Sequence, residues 1–159
     1  MNPGWLANFP AFAALGEADR TLLERVLVVD TARPGFVFIH EGDRASGVTA
    51  AMFFLIEGEV SVVARAPDGG FGVQRTLGPG HSFGSVALVA DVARTATCTA
   101  KTTVTYARLD RVVFSELFRK NIGLHARFQL AIARGLASDL RALRESLLKS
   151  LTPARSTDG

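Results

Sequence analysis

The chain has 159 residues, 48% of them hydrophobic, with a net charge of +3; that suffices for one well-buried core and is short for two, and the scattered positive excess forms no basic block of the kind a nucleic-acid partner demands. A lone cysteine, Cys98, excludes an intramolecular disulfide and a zinc cluster. No apolar run approaches the roughly eighteen residues of a membrane span, and the start, Met1 to Leu6, lacks the basic and long apolar segments of a targeting signal, so a cytoplasmic protein without a membrane partner is expected.

In chain order, apolar positions Phe12, Leu15, Leu22, Leu23, Val26 and Leu27 flank a break at Gly16–Asp19, which predicts two short helices over 11–28. From Thr31 to about Asp110, glycine turns separate short strand-like runs at 36–40, 51–56, 60–64, 72–77, 96–100 and 104–109. Short strands so spaced predict a barrel or sandwich. Pro67-Asp68-Gly69-Gly70 has the residue types of an exposed hairpin tip. Over Thr95–Ala100 threonines alternate with Ala96, Cys98 and Ala100, the period of a half-buried strand, making Cys98 a small core residue.

Helical character returns at Ser115 and dominates Ile122–Leu151, with Phe128, Ile132, Leu136, Leu140, Leu143, Leu147 and Leu151 on one stripe. Such a stripe is more often packed on its own domain than an interface; both hold in sequence if its early part covers a pocket or sheet and Leu140, Leu143, Leu147 and Leu151 pair with a second copy in a homodimer. Glu145 and Lys149, four apart on the solvated side, add a few tenths of a kcal/mol at most. The polar tail 152–159 is predicted to stop the helix at Pro153 and to be disordered.

Chemistry concentrates between Phe83 and Ala96. Gly84 followed by Ser85-Val86-Ala87-Leu88 can end a strand and open one helical turn, aiming backbone N–H groups at whatever lies in front. Arg94, ten positions on, lies far enough along for the chain to reverse and return a guanidinium to the same spot, where it would pair with phosphate oxygens. The plain alternatives are an exposed arginine at a strand start and, for Ser85, the N-cap of the turn. His40, His81 and His125 lack metal-ligand spacing, and no nucleophile stands with a partner base, so neither metal binding nor catalysis is expected.

At these residues the chain resembles the cyclic nucleotide-binding domain family. That family's phosphate-binding cassette reads Phe-Gly-Glu, an apolar residue, Ala-Leu, a spacer, then Arg and two small residues; Phe83-Gly84, Ala87-Leu88 and Arg94-Thr95-Ala96 match it in identity and spacing. Arg33-Pro34-Gly35, Glu41-Gly42-Asp43, Phe53 to Val60 and Leu77-Gly78-Pro79-Gly80 follow the family's order, so the likeness runs over about residues 8–150. It implies a mainly β fold with flanking α-helices: a β-roll of jelly-roll type at about 31–110 between N-terminal helices and C-terminal helices at about 111–151, one domain over 1–151. It implies a sensor that binds cAMP or cGMP through Phe83 to Leu88 and Arg94 to Ala96, passes occupancy to the C-terminal helix, and so reaches an unidentified downstream protein. Thr95 admits cGMP through its hydroxyl. Where the family usually has a glutamate accepting from the ribose 2′-hydroxyl, this chain has Ser85; losing a charge-assisted hydrogen bond costs about 1.5–3 kcal/mol. Two other readings stay open: a fold that no longer senses nucleotide and serves dimerisation or protein docking, and a site for another small anion. The family's transcription regulators carry a DNA-binding unit after this helix, where the present sequence ends, so no nucleic-acid partner is expected.

Overall fold

A computed structural model describes residues 4–44, 50–66, 72–89 and 92–151, with Ala87 and Val89 described in backbone only. Two short 3-10 turns, Trp5–Asn8 and Pro10–Phe12, lead into helix α1 (Glu17–Val26). Pro10 opens its turn, where its fixed φ fits and its missing N–H would have had no partner. Glu17 and Asp19 in the first turn of α1 and Arg25 in its last complement the helix dipole.

Among the described residues eight strands follow: β1 (Val28–Ala32), β2 (Val37–Ile39), β3 (Ala51–Glu57), β4 (Val60–Ala64), β5 (Val73–Leu77), β6 (Ser82–Phe83), β7 (Thr97–Ala100) and β8 (Val104–Asp110). The four-residue helix α2 (Val86–Val89) lies between β6 and β7, and helices α3 (Arg111–Lys120) and α4 (Ile122–Leu151) follow the last strand. All pairings are antiparallel, in two four-stranded sheets ordered β1-β8-β3-β6 and β2-β7-β4-β5. The result is the expected β-roll with flanking helices and a long C-terminal helix.

The core has two compartments that share β3. Its run Ala51-Met52-Phe53-Phe54-Leu55 is buried throughout, because successive side chains point to opposite faces and both faces are covered. Ala51, Phe53 and Leu55 enter the interior of the roll with Phe83, Val104 and Tyr106. Met52 and Phe54 enter the layer of helices, with Phe12, Leu109 and Phe128. There the rings form a connected chain: Phe54 lies edge-on to Trp5 at 6.2 Å and Phe9 at 5.5 Å and 5.2 Å from Phe12. Phe128 of α4 then joins Phe12 at 5.3 Å to Phe114 and Phe118 of α3 at 5.6 and 5.1 Å. Aromatic pairs in these arrangements add to simple burial, so the N-terminal turns, the sheet and the last two helices are packed as one layer.

Several expected boundaries move. Val28, read as the end of a helix, begins β1, which pairs with β8 from Val28 opposite Arg108 to Ala32 opposite Val104. Its β-branched run favours a strand, yet only Ala32 of the five is buried, so no alternation marks it. The first helical span holds 3-10 turns and a single α-helix, and β6 has only two residues. Helix α3 begins at Arg111, four residues before Ser115. The predicted hairpin tip at 67–70 and the tail at 152–159 lie outside the described residues. Among the described residues no helix is long and apolar enough to cross a membrane.

Phe54 has 0% exposure and touches rings from three N-terminal positions. Phe54→Ala is expected to lower the unfolding free energy by about 3–5 kcal/mol, measured by urea titration; a loss under about 1 kcal/mol would contradict this description of the core.

Candidate functional site

The position of Arg94 is fixed by backbone first. After β2 the chain turns through His40–Asp43, with Gly42 at φ +86°. Gly42 N–H donates to the Arg94 carbonyl and Arg94 N–H donates to the Asp43 carbonyl, both at 2.8 Å, while Ala93 bridges Arg44. The Glu41-Gly42-Asp43 turn therefore holds the segment that carries the arginine. From there the guanidinium reaches two other segments: Nη1 donates to the Gly84 carbonyl at 3.1 Å and Nη2 to the Ala51 carbonyl at 3.2 Å. Burial lowers the Arg94 pKa, opposed by Cys98 and by Asp43, and the group stays cationic at neutral pH because an arginine starts so far above it.

Gly84 sits at φ +79°, and a Cβ there would lie 2.8 Å from the Ala51 carbonyl oxygen and 3.2 Å from Arg94 Nη1. Both conformation and space demand glycine. Phe83 before it stacks on Phe53 at 5.1 Å and 18° inside the roll, and Leu88 after it is buried in the helical compartment. The turn between is thus pinned on both sides of the sheet. Ser85 stands directly before α2 in the N-cap position, 9% exposed, and its carbonyl accepts from Leu88 N–H at 3.0 Å.

These residues border a cavity of about 410 Å³ between the roll and α4. Phe83, Gly84, Ser85, Val86, Arg94, Thr95 and Ala96 all reach its wall. Leu88 faces the helical core instead, and the side chain of Ala87 is outside the described residues. Opposite them, Val62 of β4 and Cys98 of β7 make an apolar floor, while Leu136, Asp139 and Leu143 of α4 form the far side. Arg75 of β5 crosses to Asp139 of α4 at 3.3 Å. Such a space suits a flat apolar group with one anionic end.

The helix meets the cavity later than its stripe predicts. Phe128 belongs to the helical core, Ile132 closes that core, and Leu143, expected on a dimer seam, lines the cavity. Sequence reading also missed Arg75, Asp139 and the Ala51 carbonyl. Alternation along β4 and β5 could have shown the inward positions, but contacts between residues 64 positions apart leave no local signal. Among the described residues no cluster of three or more His, Cys, Asp or Glu side chains is placed to hold a metal.

Two outcomes test this geometry. Gly84→Ala is expected to destabilise the protein by at least about 1 kcal/mol, since it adds both a left-handed strain and a backbone clash; an unchanged melting temperature would contradict it. The Cys98 thiol is pushed up to about 11, mainly by burial. The folded state therefore keeps the proton that the unfolded state gives up near the ordinary thiol value, so this stability is full below about pH 8.5. As pH rises toward 11 it is lost, by about 2–3 kcal/mol at most. Cys98→Ala should flatten that part of the stability profile in denaturant titrations between pH 8 and 11; an identical slope in both proteins would refute the assignment.

Comparison with known proteins places this geometry. A profile of the cyclic nucleotide-binding domain matches residues 29–121. The regulatory subunit of cAMP-dependent protein kinase from Yarrowia lipolytica is 36% identical over 118 residues, 74% of this chain and 29% of that protein. A cyclic nucleotide-gated potassium channel of Mesorhizobium japonicum is 34% identical over 125 residues, 72% of this chain and 32% of the channel. The chain thus spans about a third or less of these relatives. Among solved structures, a cyclic nucleotide-binding domain from Methylobacillus flagellatus shares the fold at TM-score 0.80 and 17% identity, covering 96% of this chain and 84% of that one. The regulatory subunit of a cAMP-independent protein kinase A from Trypanosoma cruzi, bound to guanosine, aligns at TM-score 0.64 and 25% identity over 79% of this chain and 43% of that one. With its profile match, its roll and its ordered turns, the chain belongs to the cyclic nucleotide-binding domain family.

Proposed function

We propose that this chain is a regulatory sensor of a cyclic nucleotide, cAMP or cGMP, that acts by binding and not by catalysis. The observation that carries the reading is the return of Arg94 from ten residues away onto the Gly84 carbonyl, at the wall of a cavity bounded by α4. In this reading the cyclic phosphate lies on Arg94 and the backbone N–H groups at Ser85 to Ala87, with Thr95 beside it. The base occupies the apolar space by Val62, Cys98 and Leu136, and the ribose faces Ser85. Occupancy reaches α4 because Leu136, Asp139 and Leu143 share the cavity wall; the ligand shifts α4 by its differential affinity for two helix arrangements. Beyond the cavity Leu140, Leu147 and Leu151 stand 67%, 58% and 69% exposed, a seam that a second copy would cover to give the homodimer.

One observation favours the second reading, a fold that has stopped sensing nucleotide. Arg94 holds two backbone carbonyls from separate segments, so its retention has a structural reason even with no ligand. Arginine-to-alanine replacement alone therefore confounds binding with folding, and the milder Arg94→Lys keeps charge while removing the bidentate fork.

Calorimetric titration with cAMP, cGMP and guanosine separates these readings. Micromolar binding of one cyclic nucleotide is expected, weakened by at least about tenfold in Arg94→Lys, while the free protein still folds and its melting temperature falls by only a few degrees as one carbonyl loses its partner. Ser85→Glu should tighten it by about tenfold by restoring a charged acceptor for the ribose. Binding of guanosine without either cyclic nucleotide would overturn the phosphate role of Arg94, and no heat at millimolar ligand would leave the docking module.

A further inference from the structure

A second cavity of about 230 Å³ lies on the other side of Ser85. Its walls come from the N-terminal turns (Asn8, Pro10, Ala11), the loop before β6 (Gly80, His81) and α4 (Gly135, Ser138). Ser82, Ser85, Leu136 and Asp139 line both cavities, so the two volumes meet across one thin partition whose small members are two serines.

The closeness of the outer walls rests on glycine. A Cβ at Gly135 would come within 3.3 Å of the Ala11 Cβ, and one at Gly80 within 3.2 Å of the Asn8 carbonyl oxygen. The N-terminal turn, the loop and α4 thus approach one another closely at these two glycines, and the cavity is a half-open space between them.

Its chemistry differs from that of the first cavity. His81 Nδ1 lies 3.0 Å from the Gly78 carbonyl; a carbonyl only accepts, so Nδ1 donates and Nε2 is left as an acceptor in the neutral ring. With the Asp139 carboxylate, the Asn8 amide and the Ser138 hydroxyl, the lining is rich in acceptors, and among the described residues no lysine or arginine lines it. That lining welcomes a neutral group with an N–H or O–H to donate. A second anion would face the Asp139 carboxylate, whose partner Arg75 lies on the wall of the first cavity.

Resting on the sensor reading above, we propose that the two cavities form one bipartite site, in which the second accepts a neutral, hydrogen-bond-donating substituent carried on the ribose of the bound cyclic nucleotide. Ser85 is the gate: its single-carbon side chain leaves the partition open, whereas a longer acidic side chain there would project into the passage and close it.

The test compares whichever cyclic nucleotide binds with its 2′-O-(N-methylanthraniloyl) derivative, which is neutral, carries an N–H donor and fluoresces more brightly when buried. Its 2′-O-succinyl derivative serves as the anionic counterpart. The intact chain should bind the anthraniloyl compound within about threefold of the parent with enhanced emission, and the succinyl compound at least about tenfold more weakly. Ser138→Phe, on an exposed position of α4, should fill the second cavity. It should abolish the enhancement and weaken the anthraniloyl compound by about tenfold while leaving the parent unchanged. Ser85→Glu should discriminate in the same direction and serves if Ser138→Phe folds poorly. Parent binding with the anthraniloyl compound rejected by the unaltered protein overturns the bipartite site and leaves the sensor intact. So does equal weakening of both ligands by Ser138→Phe. Binding of none of the three overturns the sensor reading and the bipartite site with it.

Discussion

From Ala51 to Leu55 strand β3 has no solvent face, and the rest of the molecule is arranged around that constraint. A strand buried on both sides needs two separate coverings, and the alternation of its side chains assigns them: Ala51, Phe53 and Leu55 to the roll, Met52 and Phe54 to the helices. The helical layer is therefore not an appendage to the roll, since the strand is satisfied only when the N-terminal turns, α3 and the first turns of α4 pack against it. The same strand supplies the site. Its first carbonyl, that of Ala51, accepts from Arg94 Nη2, and the ring of Phe53 carries Phe83, which places Gly84.

The turn at Gly84 and the arginine solve one problem jointly. A backbone carbonyl next to a left-handed glycine points where no strand partner can reach it, and buried polar groups need partners. Arg94 supplies that partner for Gly84 and another for Ala51. Carbonyls hold the guanidinium in place; burial lowers its pKa, while Cys98 and Asp43 act in the opposite direction. An incoming phosphate would add charge-assisted bonds to a group whose orientation has been fixed beforehand, so little side-chain entropy would be lost on binding.

Much of this was legible in the sequence, for reasons that particular elements make plain. Strand β4 falls on 60–64 as read, because turns bound it and its apolar run is short. The cassette is legible because a glycine conformation, a buried ring and a returning arginine constrain one another at fixed spacing. Strand β1 was illegible because four of its five residues are exposed, and a strand without a buried face has no period to detect. The wall formed by Arg75, Asp139 and Leu143 was hidden for a different reason. Helical periodicity shows that a stripe exists but not which turn of it meets which neighbour, and that depends on where Phe128 locks α4 into the ring cluster, a contact made across more than a hundred residues of sequence.

That locking point also divides α4 energetically. Phe128, Ala131 and Ile132 are buried in the helical compartment, so the first third of the helix is tied to the core. Past Gly135, a residue that weakens a helix interior by up to about 1 kcal/mol relative to alanine, the Arg75–Asp139 pair reaches the roll, and Leu136 and Leu143 face it across the cavity. Both members of that pair are substantially exposed, and such pairs contribute about 0–1 kcal/mol. A ligand that packs beneath Leu136 and Leu143 competes with terms of that size, not with the ring cluster. The sensor reading proposed above requires that proportion: an anchor strong enough to keep the helix attached, and a distal hold weak enough for the differential affinity of one small molecule to shift the exposed leucines.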